Sequence, residues 1–268
     1  MSESPSPGWV LVTGAAHRLG REIALAFARA GWSVLCHYRH SQAKALQTQQ
    51  LVRAAGGICE LVSIDLARPD AAAQLLALCT EVVGQAPRCI VNNASIFEAD
   101  DAASASAPVL AQHLQTNTVT PLLLANALAG WVQANDAGAP HGHYSVVHVL
   151  DQKVHNLNPD YFSYTVSKLA LAASVALQAQ ALAPLVRVCG LSPGLMFLSG
   201  PQTQDNFDRA SRVNLLREPV KPADVAACAL FIAGNTSLNG CTLQTDNGQH
   251  LVPLARDVMF AIDENPAS

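Results

Sequence analysis

Charge is what this sequence has least of. Only 13% of its 268 residues are Asp, Glu, Lys or Arg, and the balance is −4. A chain with no basic excess offers no footprint for a phosphate backbone, so nucleic acid is not expected as a partner. Long hydrophobic runs are missing too. Half the residues are hydrophobic, yet Arg, Glu, Asp or Pro breaks every apolar stretch before it reaches bilayer-spanning length, so no membrane association is expected. The opening Met1-Ser2-Glu3-Ser4-Pro5-Ser6-Pro7 has neither a positive start nor an apolar run, and no secretory signal is read there. The cysteines (Cys36, Cys59, Cys79, Cys89, Cys189, Cys228 and Cys241) are odd in number and contain no C-x-x-C pair. Reduced, mostly buried thiols in a cytoplasmic protein are the expectation. The nine histidines show no zinc-like spacing, and no metal site is expected.

What is present is a regular alternation of short β-like and longer helical runs, without internal repeats. Strands are expected at Trp9–Val12, Trp32–His37, Ile58–Ile64, Cys89–Val91, Tyr144–Val149, Leu185–Leu191 and Cys241–Thr245. Helices are expected at about Leu19–Ala30, Gln42–Ala55, Pro69–Val83, Ala107–Ala129, Tyr161–Leu182 and Pro222–Ala233, with Met196–Arg217 less regular. Strands and helices alternating at this spacing predict one Rossmann-type, doubly wound, parallel seven-stranded sheet with helices on both faces. The length suits a single domain over 1–268, with a flexible N-terminus over 1–8. Ligands in such folds bind outside the carboxyl ends of the strands, where strand order reverses. Each motif below follows a strand and falls at that edge.

Thr13-Gly14-Ala15-Ala16-His17-Arg18-Leu19-Gly20 joins the first strand to the first helix. Glycines at Gly14 and Gly20 permit a tight turn and close approach of backbone to a pyrophosphate, and the helix N-terminus presents free N–H groups to it. A carboxylate at the end of the second strand would bond a ribose 2′-hydroxyl. The chain has Tyr38-Arg39-His40-Ser41 there instead. The forked, charged donors of Arg39, with Ser41 beside it, suit a 2′-phosphate, so NADPH is the expected cofactor.

Tyr164 and Lys168 stand four apart at the start of a helix and share one face. An unperturbed tyrosine titrates near about 10 and is a poor acid at neutral pH. A neighbouring ammonium is expected to lower that value and make the phenol a usable proton donor for hydride reduction.

Together with Asp65, Asn92-Asn93-Ala94, Asn117 and Pro193-Gly194, these residues resemble the short-chain dehydrogenase/reductase family over nearly the whole chain. The resemblance implies that Asp65 and Leu66 face the adenine and that Asn93-Ala94 shape the cofactor pocket. It implies that Lys168 also holds ribose hydroxyls and that Asn117 supports a proton-relay water. Three departures refine it. Arg18 and Ser95 stand where family members usually have glycine, and Asp151 stands where they usually have serine. With Phe97, this combination looks like the pteridine reductase branch, which includes bacterial dihydromonapterin and dihydrofolate reductases. In that branch Phe97 would stack on a flat pterin, Arg18 would reach phosphates and pterin edge, and Ser95 would bond the ring. Asp151 adds a physical reason: an ionised carboxylate only accepts hydrogen bonds, so it suits a substrate rich in N–H donors. Its charge also disfavours the Tyr164 phenolate. The competing expectations are a reductase of a ketone, aldehyde or 3-oxoacyl thioester, with a serine such as Ser163 assisting, and a non-catalytic NADP(H)-binding sensor. His17, His148 and His155 are expected to be structural or superficial.

After Pro193-Gly194, residues 195–217 are expected to form a substrate loop, with Leu195 and Met196 beside the cofactor and a mobile polar middle. The helix Tyr161–Leu182 is apolar almost all round. It is expected to be fully buried, one face on the sheet and the other on a symmetric partner, which predicts a homodimer or homotetramer.

Overall fold

The computed structural model describes residues 7–200 and 202–264. Seven strands, β1 (Trp9–Val12), β2 (Ser33–Tyr38), β3 (Cys59–Ser63), β4 (Cys89–Asn92), β5 (Tyr144–Val149), β6 (Val186–Pro193) and β7 (Thr242–Thr245), form one parallel sheet in the order β3-β2-β1-β4-β5-β6-β7. The order reverses between β1 and β4, which opens a crevice at their carboxyl ends.

Strand alternation sorts the side chains between two cores. Val10, Val12, Val34, Cys36, Val91 and Val147 face one side, against α1 (Arg18–Arg29) and the later helix Pro222–Gly234. Leu11, Leu35, Ile90, Val146 and Val188 face the other. They pack there against α3 (Ala71–Val83), which follows α2 (Gln42–Ala54), and against the helix Thr120–Asn135. Both faces are covered, so the strands read as continuous apolar runs. The N-terminal expectation falls mostly on residues 1–6, outside the described residues. Of the rest, the Gly8 carbonyl accepts from the Ser33 N–H at 3.0 Å, and Arg88 reaches the Pro7 carbonyl.

Three differences from the expected elements bear on function. The helix expected over Ala107–Ala129 is α4 (Ala107–Leu114), a π-helical turn (Gln115–Val119) and α5 (Thr120–Asn135). In the π turn the Thr120 N–H bonds back to the Gln115 carbonyl, five residues away. Such turns widen a helix locally and recur at functional sites. The segment 195–217 contains a short helix, α7 (Gln204–Ala210), capped by the Thr203 hydroxyl. After α8 (Pro222–Gly234), a C-terminal helix, α9 (Val258–Glu264), closes the described chain. In the single chain α6 (Phe162–Leu182) leaves one face open, the face expected to meet a symmetric partner. Ala173, Ala176 and Leu177 are exposed, Leu177 at 67%, on the side away from the sheet.

Candidate active site

A cleft of about 650 Å³ lies over the β1/β4 crevice. The sequence-expected residues Gly14, Arg18, Leu19, Gly20, Tyr38, Arg39, His40, Ser41, Asp65 and Leu66 line one end of it. Asn93, Ala94, Ser95, Phe97, Asp151, Tyr164, Lys168, Pro193, Gly194, Leu195 and Met196 line the remainder. The Asn117 side chain is not in the lining; it stands behind it.

Backbone positions make the first wall. Gly14 has φ +65°, a conformation natural to glycine, and a Cβ on Gly20 would collide with the Gly14 carbonyl and the Asn93 side chain. Thr13 ties this loop to β4. Its hydroxyl accepts the Asn93 and Ala94 N–H groups, both at 2.9 Å, and its carbonyl accepts from Asn93 Nδ2 at 2.9 Å. At the start of α1, His17 makes no side-chain cap and the first turn has no acid, so its N–H groups face the cleft without a competing carboxylate. The cradle therefore fits a pyrophosphate.

Sequence reasoning missed His37, which reads as one more residue of an apolar strand. It is buried in β2, and its Nε2 lies 3.1 Å from the Ile64 carbonyl, so that nitrogen carries the proton. Nδ1 is then the acceptor for the Gly14 N–H at 3.1 Å. Burial pushes the imidazole down to about 4, so this neutral brace persists through physiological pH. A histidine interrupting an apolar strand directly opposite a glycine loop is the signal that could have found it.

At the end of β2, Arg39 pairs with Asp65 at 3.6 Å across a gap where both are roughly 40% exposed. Such a pair is weak and leaves the guanidinium free to turn to another anion. Ser41 precedes α2 without using its hydroxyl as a cap. Arg18 begins α1 at φ +51° and donates from Nη2 to the Leu198 carbonyl at 3.0 Å. It thus bridges the cofactor loop to the 195–217 segment.

The Tyr164 hydroxyl donates to Asp151 Oδ2 at 2.7 Å, while Asp151 Oδ1 accepts the Lys153 N–H at 2.8 Å. Burial, then the charge and hydrogen bond of Asp151, hold the Tyr164 phenol well above its usual value. The net shift is upward, in the direction expected from Asp151 and against the lowering expected from Lys168. Lys168 Nζ donates to the Val149 carbonyl at 2.7 Å and lies 5.8 Å from the Tyr164 ring centre. Its own burial pushes it down to about 8. Burial likewise raises the Asp151 carboxyl, against the opposing pull of its hydrogen bonds and of Lys153 and Lys168. Ser163 is fully buried, with its N–H on Asp100 Oδ1 at 3.0 Å, and does not line the cleft.

Asn117 sits in the π turn. Its Oδ1 accepts the Ile96 N–H at 2.9 Å, and its Nδ2 donates to the Ile96 carbonyl and Ser167 Oγ, each at 3.0 Å. It braces the strand-end segment carrying Ser95 and Phe97. The Phe97 ring stacks on Tyr161 at 4.1 Å and meets Tyr164 edge-on at 4.7 Å. His148 bonds Gln178 and Asn92 inside the core, and His17 and His155 are exposed. Sequence reasoning also missed Lys153, Asp257, Val258 and Met259, which line the cleft.

A family model described as enoyl-(acyl carrier protein) reductase matches residues 14–250. An uncharacterized oxidoreductase of Mycobacterium tuberculosis is 30% identical over 244 residues, covering 89% of this chain and 90% of that protein. A dihydromonapterin reductase of Citrobacter koseri is 27% identical over 247 residues, covering 90% and 96%. Among solved structures, the FolM alternative dihydrofolate reductase 1 of Brucella canis, complexed with NADP, superposes with a TM-score of 0.83 at 30% identity, covering 91% of this chain and 94% of that one. The Brucella suis protein, also in complex with NADP, superposes with the same TM-score of 0.83 and covers 90% and 94%.

Proposed function

Because the chain belongs to the short-chain dehydrogenase/reductase family, an oxidoreductase family, we propose that it reduces a pteridine-type substrate, a dihydropterin or dihydrofolate, with NADPH. The observation that carries this reading is the Tyr164–Asp151 hydrogen bond at 2.7 Å. A serine in that place could donate to a substrate carbonyl; an ionised carboxylate accepts only, and so selects a ring edge bearing N–H groups. The names of the Citrobacter and Brucella proteins agree with it.

The chain's own residues divide the work. Gly14, Gly20 and the N-terminus of α1 would hold the pyrophosphate of NADPH, with Asp65 and Leu66 against the adenine and Lys168, Pro193 and Gly194 at the nicotinamide end. Bound there, NADPH supplies a hydride. Tyr164 gives its proton to the nitrogen of the ring C=N bond whose carbon takes the hydride; the raised phenol keeps that proton in place until the nitrogen gains the electron pair. Lys168, held beside it by the Val149 carbonyl, stabilises the phenolate so formed and returns a proton towards it. Asp151 orients the ring, Phe97 covers its face, and Arg18 and Ser95 meet its polar edge. Asn117 acts from behind by fixing Ile96.

The direct test is loss of NADPH absorbance with dihydrobiopterin or dihydrofolate, run beside acetoacetyl thioesters and simple diketones. Turnover of the pterins fits the proposal. Turnover of the thioester alone would favour the second reading, a 3-oxoacyl thioester reductase; the matching family description names an acyl thioester too, though one reduced at a C=C bond. Cofactor choice has its own test. Arg39→Ala is expected to raise KM for NADPH by about 10-fold or more, from loss of a charge-assisted phosphate contact, and to leave KM for NADH nearly unchanged. Equal loss with both cofactors would remove Arg39 from the 2′-phosphate site.

The same proposal extends to assembly. Ala173, Ala176 and Leu177 on α6, with Val119 at the end of the π turn and Leu123 in the first turn of α5, are exposed apolar residues. We assign them to an interface with a symmetric partner, giving a homodimer or homotetramer. Light scattering at micromolar concentration reads the mass, and a monomer would contradict this assignment.

A further inference from the structure

The cleft has a wall that no motif in the sequence announces. Asp257, Val258 and Met259, at the beginning of the C-terminal helix, line the same space as Tyr164. Met259 is buried in a small cluster with Tyr161 and Tyr164, against which Phe260 packs. Tyr161 is held at φ +57°, a left-handed conformation costly for a bulky residue. Its ring lies between Phe97 at 4.1 Å and Phe260 at 6.2 Å, with interplanar angles of 22° and 13°. The aromatic face expected to cover the substrate is thus continuous with the C-terminal segment.

A buried ion pair fastens that segment. Lys153 Nζ donates to Asp257 Oδ2 at 2.9 Å and to Asn158 Oδ1 at 2.6 Å, and the Lys153 and Asp257 side chains are only 3% and 14% exposed. Asp160 accepts the Arg256 Nε–H at 2.9 Å and the Asp257 N–H at 2.7 Å. From α7, in the substrate segment, Asn206 Nδ2 donates to the Met259 carbonyl at 2.8 Å. Replacing a buried ion pair with apolar side chains often costs nothing, whereas breaking it strands a charge. What the pair supplies here is register. Lys153 stands two residues after Asp151, so the pair ties the C-terminal segment to the loop that carries the carboxylate.

We propose that Met259 is a specificity-determining residue of the substrate site, and that Lys153 and Asp257 are positioning residues whose ion pair holds it against Tyr164. Acceptors at Asp151 meet the polar edge of a flat ring, and the pliable thioether of Met259 closes the apolar side opposite. Only the identity of that ring rests on the pteridine reading; the wall and its latch do not.

The test uses the full chain, with kinetics on whichever of dihydropterin or diketone the wild type reduces, so failure of the pteridine reading registers separately as a change of substrate. Met259→Ala is expected to raise KM for that substrate about 10-fold, with kcat within about threefold and the NADPH dissociation constant, read by fluorescence, within about twofold, the pattern of a lost binding contact. Lys153→Met should produce the same split together with faster amide exchange over 257–261 by mass spectrometry, and Lys153→Arg should restore both. An unchanged substrate KM in Met259→Ala overturns the assignment of Met259, as does an equal loss of NADPH binding. Wild-type exchange over 257–261 in Lys153→Met overturns the latch. Should Lys153→Met fail to fold, Lys153→Arg with wild-type kinetics beside a defective Asp257→Asn keeps the latch, and a wild-type Asp257→Asn discards it.

Discussion

Replacing Tyr164 by phenylalanine is expected to lower kcat by about 10²–10⁴-fold, the range for removal of a positioned acid, while NADPH binds as before. The substitution deletes one oxygen. That oxygen makes a 2.7 Å bond to Asp151 and no other hydrogen bond among the described residues, so the ring can stay where Phe97 and Met259 pack on it. Stopped-flow single turnovers separate the chemical step from cofactor release; an unaltered hydride-transfer rate would remove Tyr164 from the proton path. The pH profile gives a second reading of the same group of residues. Lys168 is depressed from its ordinary 10.5 to about 8 by burial. A lysine so placed loses its proton as pH rises through about 8, and kcat/KM is expected to fall there. The sign for stability is opposite. Between about 8 and 10.5 the folded chain binds fewer protons than the unfolded one, so relief of the buried ammonium adds stability as pH rises. Activity that falls across that window without a fall in melting temperature assigns the loss to titration and not to unfolding.

The second large effect is at Asp151. Asp151→Ser is expected to lower kcat/KM for a dihydropterin by about 10–100-fold, matching the 1.5–3 kcal/mol of a hydrogen bond to a charged group. The same variant should hold or gain activity on a simple diketone, because a serine hydroxyl donates where the carboxylate could only accept. Loss of the carboxylate also removes the charge that raises Lys168 against its burial, so the basic limb of the profile should move to lower pH. An unchanged pterin rate would sink the role given to Asp151. Equal losses on both substrates would reduce it to a structural anchor, which its bond to the Lys153 N–H already makes it in part.

Much of this was legible in the chain. The β-αβ alternation specifies a parallel sheet because each strand must bury both faces and each crossover must return over the sheet. The switch point, and with it the placement of Gly14, Asp65, Asn93, Tyr164 and Gly194 around one cleft, follows from that order. These are local signals: a glycine at a turn, a four-residue spacing on a helix, a missing carboxylate at a strand end. Local signals also misled. The run Ala107–Ala129 carries apolar periodicity throughout, and nothing in it marks the extra residue that opens the π turn at Asn117.

By itself the sequence determined the fold, the cofactor crevice and the Tyr164–Lys168 pair, because each depends on neighbours within a turn or a strand. Only the tertiary structure decided how those groups titrate and what closes the site. His37 stands twenty-three positions after Gly14. Lys153 and Asp257 are separated by 104. Contacts at such separations, and the burial that moves Lys168 down and Tyr164 up, come from packing of distant segments, which spacing in one chain does not encode.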